Sequence, residues 1–248
     1  MRKTRLLAAA MACGISLSLL SAPALAQEKT GVKAGFVMPA GGTRIVLMRP
    51  SVRVGAQSTG GLFEPNADWT AQARENLDAA IRKAQGQLGH QVTPYEDGTG
   101  AADSLSNQYR GLFTSLADSV REFQFFPGNR LPTKKRKDSF EWTIGPEAKN
   151  LPGLENADYV LFITTEDHYG SAGRKALQIF AALGGVGITS GVHLGYAGLV
   201  DVRTGELVWL NADQQMGGDV RTTEGAEKRV SQLLEGFPGS TIRSASAQ

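Results

Sequence analysis

Six consecutive residues, Tyr159-Val160-Leu161-Phe162-Ile163-Thr164, are apolar on both alternating faces. Successive strand side chains point to opposite sides, so this run has no solvent face and must be covered twice. That is how a central strand with helices over both faces of its sheet reads. The covering helices can be located. Trp69, Ala73, Leu77, Ala80, Ile81, Ala84 and Leu88 recur on one helical face, with Asp68 or Asn66 available to cap the first amides and Gly89 to end the helix in a left-handed turn. Leu105, Tyr109, Leu112, Phe113, Leu116, Val120 and Phe123 make a second stripe. Ala226, Val230, Leu233, Leu234 and Phe237 make a last one, opened by Thr222 or Thr223 and closed by Gly236 and Pro238.

Between these helices the chain supplies further strands. Residues 44–49 form an apolar run stopped by Pro50, with Val52 and Val54 continuing as an edge strand where proline is tolerated. Residues 55–66 read as a loop and 90–95 as a short strand. The pattern dissolves over about 126–152, where 140–144 is the one extended piece expected. Residues 172–183 read as a helix broken by Gly184, Gly185 and Gly187. Then 192–202 and 206–210 pair as a hairpin through Arg203-Thr204-Gly205, with glycine in the left-handed position. The fold class that follows is α/β: a mainly parallel sheet with helices on both faces and an antiparallel hairpin near the C-terminus. One domain spans 43–239, after an exposed lead-in at 27–42 and before a flexible tail at 240–248.

Ahead of that domain, Arg2, Lys3 and Arg5 precede an apolar stretch over 6–20 and an A-x-A site at Ala24-Leu25-Ala26. This is the pattern of a secretory signal peptide, cleaved after Ala26, and it implies a periplasmic location. The full sequence has 26 basic and 24 acidic side chains. The leader holds three of the basic ones and none of the acidic, so the balance behind it turns slightly negative and lends no support to nucleic-acid binding. The single cysteine, Cys13, lies within the leader. The exported part therefore lacks a disulfide, a thiolate nucleophile and a cysteine zinc site. Ala10-Met11-Ala12-Cys13 is a poor lipidation signal, since its apolar run continues past the cysteine. The long uncharged stretch 176–200 is broken by six glycines and several polar residues. It reads as a buried helix running into a buried strand, against the alternative of a segment that enters a membrane or packs in an oligomer.

The candidate site follows the central strand at Glu166, Asp167 and His168, with Arg174 and Lys175 at the start of the next helix. The carboxyl ends of strands in open α/β sheets form the usual ligand crevice, and free amides with two cations suit an anion. These residues can equally be solvated turn and capping groups. No phosphate loop, nucleophile elbow or metal-binding histidine pair accompanies them, so no catalytic residue, metal or cofactor is assigned. His193, among apolar strand neighbours, reads as a hydrogen-bonded histidine. Lys134, Lys135, Arg136 and Lys137 offer a contact for an anionic surface or read as a solvated loop.

The strand at 157–162, the hairpin "DVRTGELVW" at 201–209 and the helix "GAEKRVSQLLEGFP" at 225–238 resemble uncharacterised exported envelope proteins with the α/β domain of CsgG, the curli-secretion lipoprotein. The resemblance implies that fold and an envelope location. It does not extend to channel formation, because the family's lipidated cysteine has no counterpart after Ala26. Two classes of function stay open. One is a non-catalytic periplasmic module that binds or assembles a protein or envelope component. The other is an enzyme or small-ligand receptor using the crevice after the 157–165 strand. Partner and oligomeric state are left open; no transmembrane helix is expected after signal removal.

Overall fold

The computed structural model describes residues 30–39, 41–130 and 139–242. The leader, the basic run Lys134-Lys135-Arg136-Lys137 and the end of the tail lie outside them. The described residues form one mixed sheet. Its strands are β1 (Thr30–Val32), β2 (Arg44–Leu47), β3 (Ser51–Gln57), β4 (Phe63–Pro65), β5 (Gln91–Pro94), β6 (Trp142–Thr143), β7 (Tyr159–Gly170), β8 (Val192–Asp201) and β9 (Glu206–Asp213). The main path runs β1-β9-β8-β7-β2-β5, with β3 also on β7, β4 outside β3 and β6 on β9.

The expected central strand is central, but the sheet is not mainly parallel. β7 has parallel partners, β2 and β3, on one side and antiparallel β8 on the other, from Tyr159↔Asp201 to His168↔Val192. β5 is parallel to β2, whereas β8–β9, β1–β9, β3–β4 and β6–β9 are antiparallel. Apolar alternation reads the same in either direction, so a strand's periodicity carries no sign of its polarity. β1 pairs in order with Asn211, Leu210 and Trp209, which brings part of the expected lead-in into the sheet. β3 is no edge strand, since β4, inside the expected 55–66 loop, covers its outer side.

Helices α1 (Ala67–Gln85) and α4 (Thr223–Leu233) cover one face of the sheet. There Leu77, Ile81, Val230 and Leu233 meet Leu161 and Ile163. Helix α2 (Ala101–Val120), followed by a π-helical segment Arg121–Phe125, covers the other face. Phe113 stacks on Phe162 with ring centroids 4.9 Å apart. Both rings are buried, and each contributes about 1.5–3 kcal/mol relative to an exposed ring. A side chain on Gly198 would collide with that Phe113 ring. The caps are those the sequence offers: Asn66 Oδ1 accepts from the Trp69 amide at 2.9 Å, and Thr222 Oγ1 accepts from the Gly225 amide at 3.1 Å. Gly205, at φ +70°, closes the β8–β9 turn in the left-handed region.

β2 and β3 run in line along one side of β7. Leu47 pairs with Leu161 and Ser51 with Thr164, so the Met48-Arg49-Pro50 segment holds one residue more than β7 does opposite it. The outer neighbour changes at this bulge from β5 to β4, which leaves a notch in the sheet edge.

Helix α3 (Ala172–Leu183) departs furthest from expectation. It is helical as read, and Ser171 caps it by accepting from the Arg174 amide at 3.2 Å, yet none of its residues is buried. The physical reason is the direction of β8. A parallel crossover would carry the helix back across a sheet face. Here β7 turns straight back into an antiparallel neighbour, so α3 stands at the tip of a long hairpin. Among the described residues no helix is long and apolar enough to cross a membrane.

Candidate functional site

Glu166, Asp167 and His168 are not in a loop after the strand. They belong to β7, which continues to Gly170, so alternation sends Glu166 and His168 to one face and Asp167 to the other. On the α2 side, His168 Nε2 lies 2.7 Å from Glu166 Oε1, and Arg53 Nη1 from β3 donates to Glu166 Oε2 at 2.9 Å. Phe63 of β4 stacks on the His168 ring at 4.1 Å, with the Arg53 guanidinium 5.0 Å from its centroid. This cluster seals the hairpin edge, and each charge has a partner.

On the opposite face Asp167 is fully buried against an equally buried Arg229 of α4. Arg229 Nη2 and Nη1 donate to the two carboxylate oxygens at 2.7 and 2.8 Å. The remaining donors of Arg229 meet the Gly217 and Gly218 carbonyls at 3.0 and 3.1 Å, and Nη1 also meets Thr165 Oγ1. His193 of β8 donates through Nδ1 to Asp167 Oδ1 at 2.7 Å. Burial alone would raise the Asp167 carboxyl, but the hydrogen bonds from His193 and Arg229, together with the guanidinium charge, hold it below the ordinary carboxylate value. A carboxylate that fixes one ring nitrogen of a histidine is half of a general-base arrangement. In this case Arg229 already neutralises the carboxylate, which removes much of its power to stabilise an imidazolium. The Ser171 hydroxyl is engaged as a helix cap, and Ser190, three residues before His193, lines the cavity into which that ring opens.

The part-exposed edge of His193 opens into a cavity of about 490 Å³ lined also by Trp69, Tyr169, Lys175, Ser190 and Arg221. Tyr169 donates to Asp219 Oδ1 at 2.8 Å, and the Arg221 guanidinium sits 3.6 Å from the Tyr169 ring centroid and 4.6 Å from that of Trp69. Burial first, then the charges of Asp167 and Asp219, push the Tyr169 hydroxyl well above its usual range. Hydrogen bonds from Arg221 hold Asp219 far below its own. Arg174 does not face this cavity as a free cation. It donates to the Thr189 carbonyl at 2.9 and 3.2 Å and to that of Thr59 at 3.3 Å, tying the base of α3 to the β3–β4 turn. Of the five expected site residues, Lys175 alone lines the cavity.

Among the described residues no group of three or more histidine, cysteine or acidic side chains is placed to hold a metal. The sequence reading passed over two residues that organise this end of the fold, Arg229 and Arg110. Each lies inside an apolar stripe, Arg229 between Ala226 and Val230 and Arg110 three residues before Phe113. An arginine on the buried face of a helix was the available signal.

No family model matches the chain, and no curated protein matches it. Solved structures give loose likenesses. A PelC dodecamer from Paraburkholderia phytofirmans aligns at 13% identity and a TM-score of 0.35, covering 86% of this chain and 98% of that one. Lipoprotein GNA1162 from Neisseria meningitidis aligns at 16% and 0.29, covering 69% and 81%. The C-terminal domain of LpoB from Salmonella enterica aligns at 16% and 0.23, covering 74% and 88%.

Proposed function

We propose that the protein is a non-catalytic binding and assembly module of the periplasm, and that it docks a partner protein through α3. The carrying observation is the exposure of that helix. Ile179, Phe180 and Leu183 are 64%, 71% and 82% exposed, followed by Val186 at 57%, and Gln178 is the one polar side chain between Lys175 and Gly184. An isolated helix of this length is marginal in water, and a contiguous apolar surface on it marks an interaction site. Helices that lie in a lipid interface carry lysine and arginine along their polar face. On α3 Arg174 is engaged by backbone carbonyls and Lys175 sits at the base, so the chemistry favours an apolar protein groove that reads the 179, 180 and 183 anchors. The signal-peptide pattern and the resemblance to CsgG-like envelope proteins, both read from the sequence, support an envelope location within the same proposal. A second reading, a small-ligand receptor, draws on the cavity that joins His193 to Lys175.

The test is a photo-crosslinker at position 180 in cells, beside a Phe180→Asp, Leu183→Asp double variant. One discrete protein adduct, absent when Leu183→Asp accompanies the crosslinker, and loss of that partner from pull-downs of the double variant are expected. An unchanged partner set in the double variant, or a purified protein that sediments with lipid vesicles through α3 and yields no protein adduct, refutes the reading.

A further inference from the structure

The notch at the β2–β3 bulge is a second cavity, independent of α3. It encloses about 440 Å³ and gathers four guanidinium groups, from Arg49, Arg53, Arg74 and Arg110, with Glu166 the single acidic side chain in its wall among the described residues. Two of these charges are answered: Arg49 pairs with Asp97 at 2.8 Å and Arg53 with Glu166 at 2.9 Å. Glu166 is in turn shared with His168. Arg74 and Arg110 make no ion pair among the described residues; Arg74 feels the charge of Asp78, one turn along α1, which Arg82 and Arg49 share.

Arg110 is the informative one. It is 8% exposed, and among the described residues its guanidinium meets only neutral oxygens, the Arg49 carbonyl at 3.3 Å and the Asn107 amide oxygen. Buried charges in folded proteins are ordinarily paired. Burial first, then the positive charge of Arg49, pulls the Arg110 guanidinium below its usual range, while Asp97 and Asp103 oppose the shift without touching it. Around it the Thr114 and Thr164 hydroxyls, 2.9 Å apart, add neutral polar wall. The bulge matters here: it turns the Arg49 carbonyl toward α2, where Arg110 anchors on it, and the missing outer strand leaves the cavity open to solvent.

We propose that this notch binds a dianionic phosphate ester, with the phosphoryl group between Arg110 and Arg74 and an organic body of monosaccharide size filling the rest. Two cations that carboxylates influence from a distance but do not contact among the described residues match two negative charges, and guanidinium forks suit phosphoryl oxygens. The ester's source is either a free sugar phosphate or a lipid headgroup.

Calorimetric titration with glucose 6-phosphate, and sedimentation with vesicles containing phosphatidic acid, a phosphate monoester like the sugar phosphate, distinguish the sources. Arg110→Met keeps the buried volume, and Arg74→Gln changes an exposed residue whose loss leaves folding intact. Binding to one of the two probes should fall at least about tenfold in both variants, with the thermal melt of Arg74→Gln unchanged, and should weaken as salt rises. Saturation by the sugar phosphate assigns a soluble ligand; binding to vesicles alone assigns a headgroup. Absence of binding to both probes at millimolar concentration, or binding equal in wild type and Arg74→Gln, overturns the proposal. The Phe180→Asp, Leu183→Asp variant should retain this binding, so failure of the docking reading and failure of this one are separable.

Discussion

Helices α3 and α4 are of nearly the same length, and their fates are opposite to their compositions. α4 carries four charged side chains in its first seven residues and still buries Ala226, Arg229, Val230 and Leu233. α3 is apolar from Ala176 to Leu183 apart from Gln178, and buries nothing. Connectivity makes the difference. The β8–β9 hairpin delivers its chain across the face where α1 lies, and α4 has no route but over the sheet. α3 connects two antiparallel neighbours and is free of the sheet it leaves. Hydrophobicity therefore says that a segment wants cover, and topology decides whether its own chain provides it.

Breaking α4's hold on the sheet should have the largest effect. Arg229→Met leaves the Asp167 carboxylate buried without its main partner and should cost about 3–5 kcal/mol, read as a lower urea midpoint. The same pair sets an acid limit. The folded Asp167 pKa lies below the ordinary 3.8, so the stability it contributes is complete above that value and is lost as pH falls through the folded one. Acid titration of stability should fall less steeply in Arg229→Met than in wild type, and an identical slope would remove the pair from the account. His193→Ala deletes one hydrogen bond to the same carboxylate and should cost about 1.5–3 kcal/mol. His168→Ala, on the other face, removes a contact at a partly exposed edge and should cost about 1 kcal/mol, with partner capture retained; loss of capture in a folded protein would promote the receptor reading. Smallest is the Phe180→Asp, Leu183→Asp change, which should shift stability by no more than about 0.5 kcal/mol while abolishing docking. A large drop in its melting temperature would show that α3 is part of the core after all.

What was legible in the sequence was what depends on near neighbours. Tyr159 to Thr164 announced a doubly covered strand, Asn66 and Thr222 their helix starts, and Gly205 its turn. What was not legible depends on distant partners. Glu166-Asp167-His168 looks like a turn because three polar residues in a row lack an apolar face. It is a strand because Arg53 and Arg229 arrive from 113 and 62 residues away to answer each face. The five residues read as one crevice are thus spread over this end of the fold, with Asp167 behind the sheet, Arg174 tied to carbonyls, Lys175 at the cavity beside His193 and Glu166 in the wall of the notch. β1 and β4, three residues each, are too short to carry a period of their own.

The extra residue at Met48-Arg49-Pro50 acts as a phase shifter for everything after it. Ile45 and Leu47 look toward α1 and α4 from odd positions, and Val52 and Val54 look the same way from even ones. Deleting one of the three residues would merge β2 and β3 into one unbroken strand in which Val52 and Val54 still face their core and Arg53 still faces away, because the shift and the residue that causes it leave together. The extra residue therefore does not set which way β3 faces; it sets the outline of the sheet edge. Without it the Arg49 carbonyl loses the bend that carries it to Arg110. The alternation of side chains would survive the loss, and the hollow beside it would not.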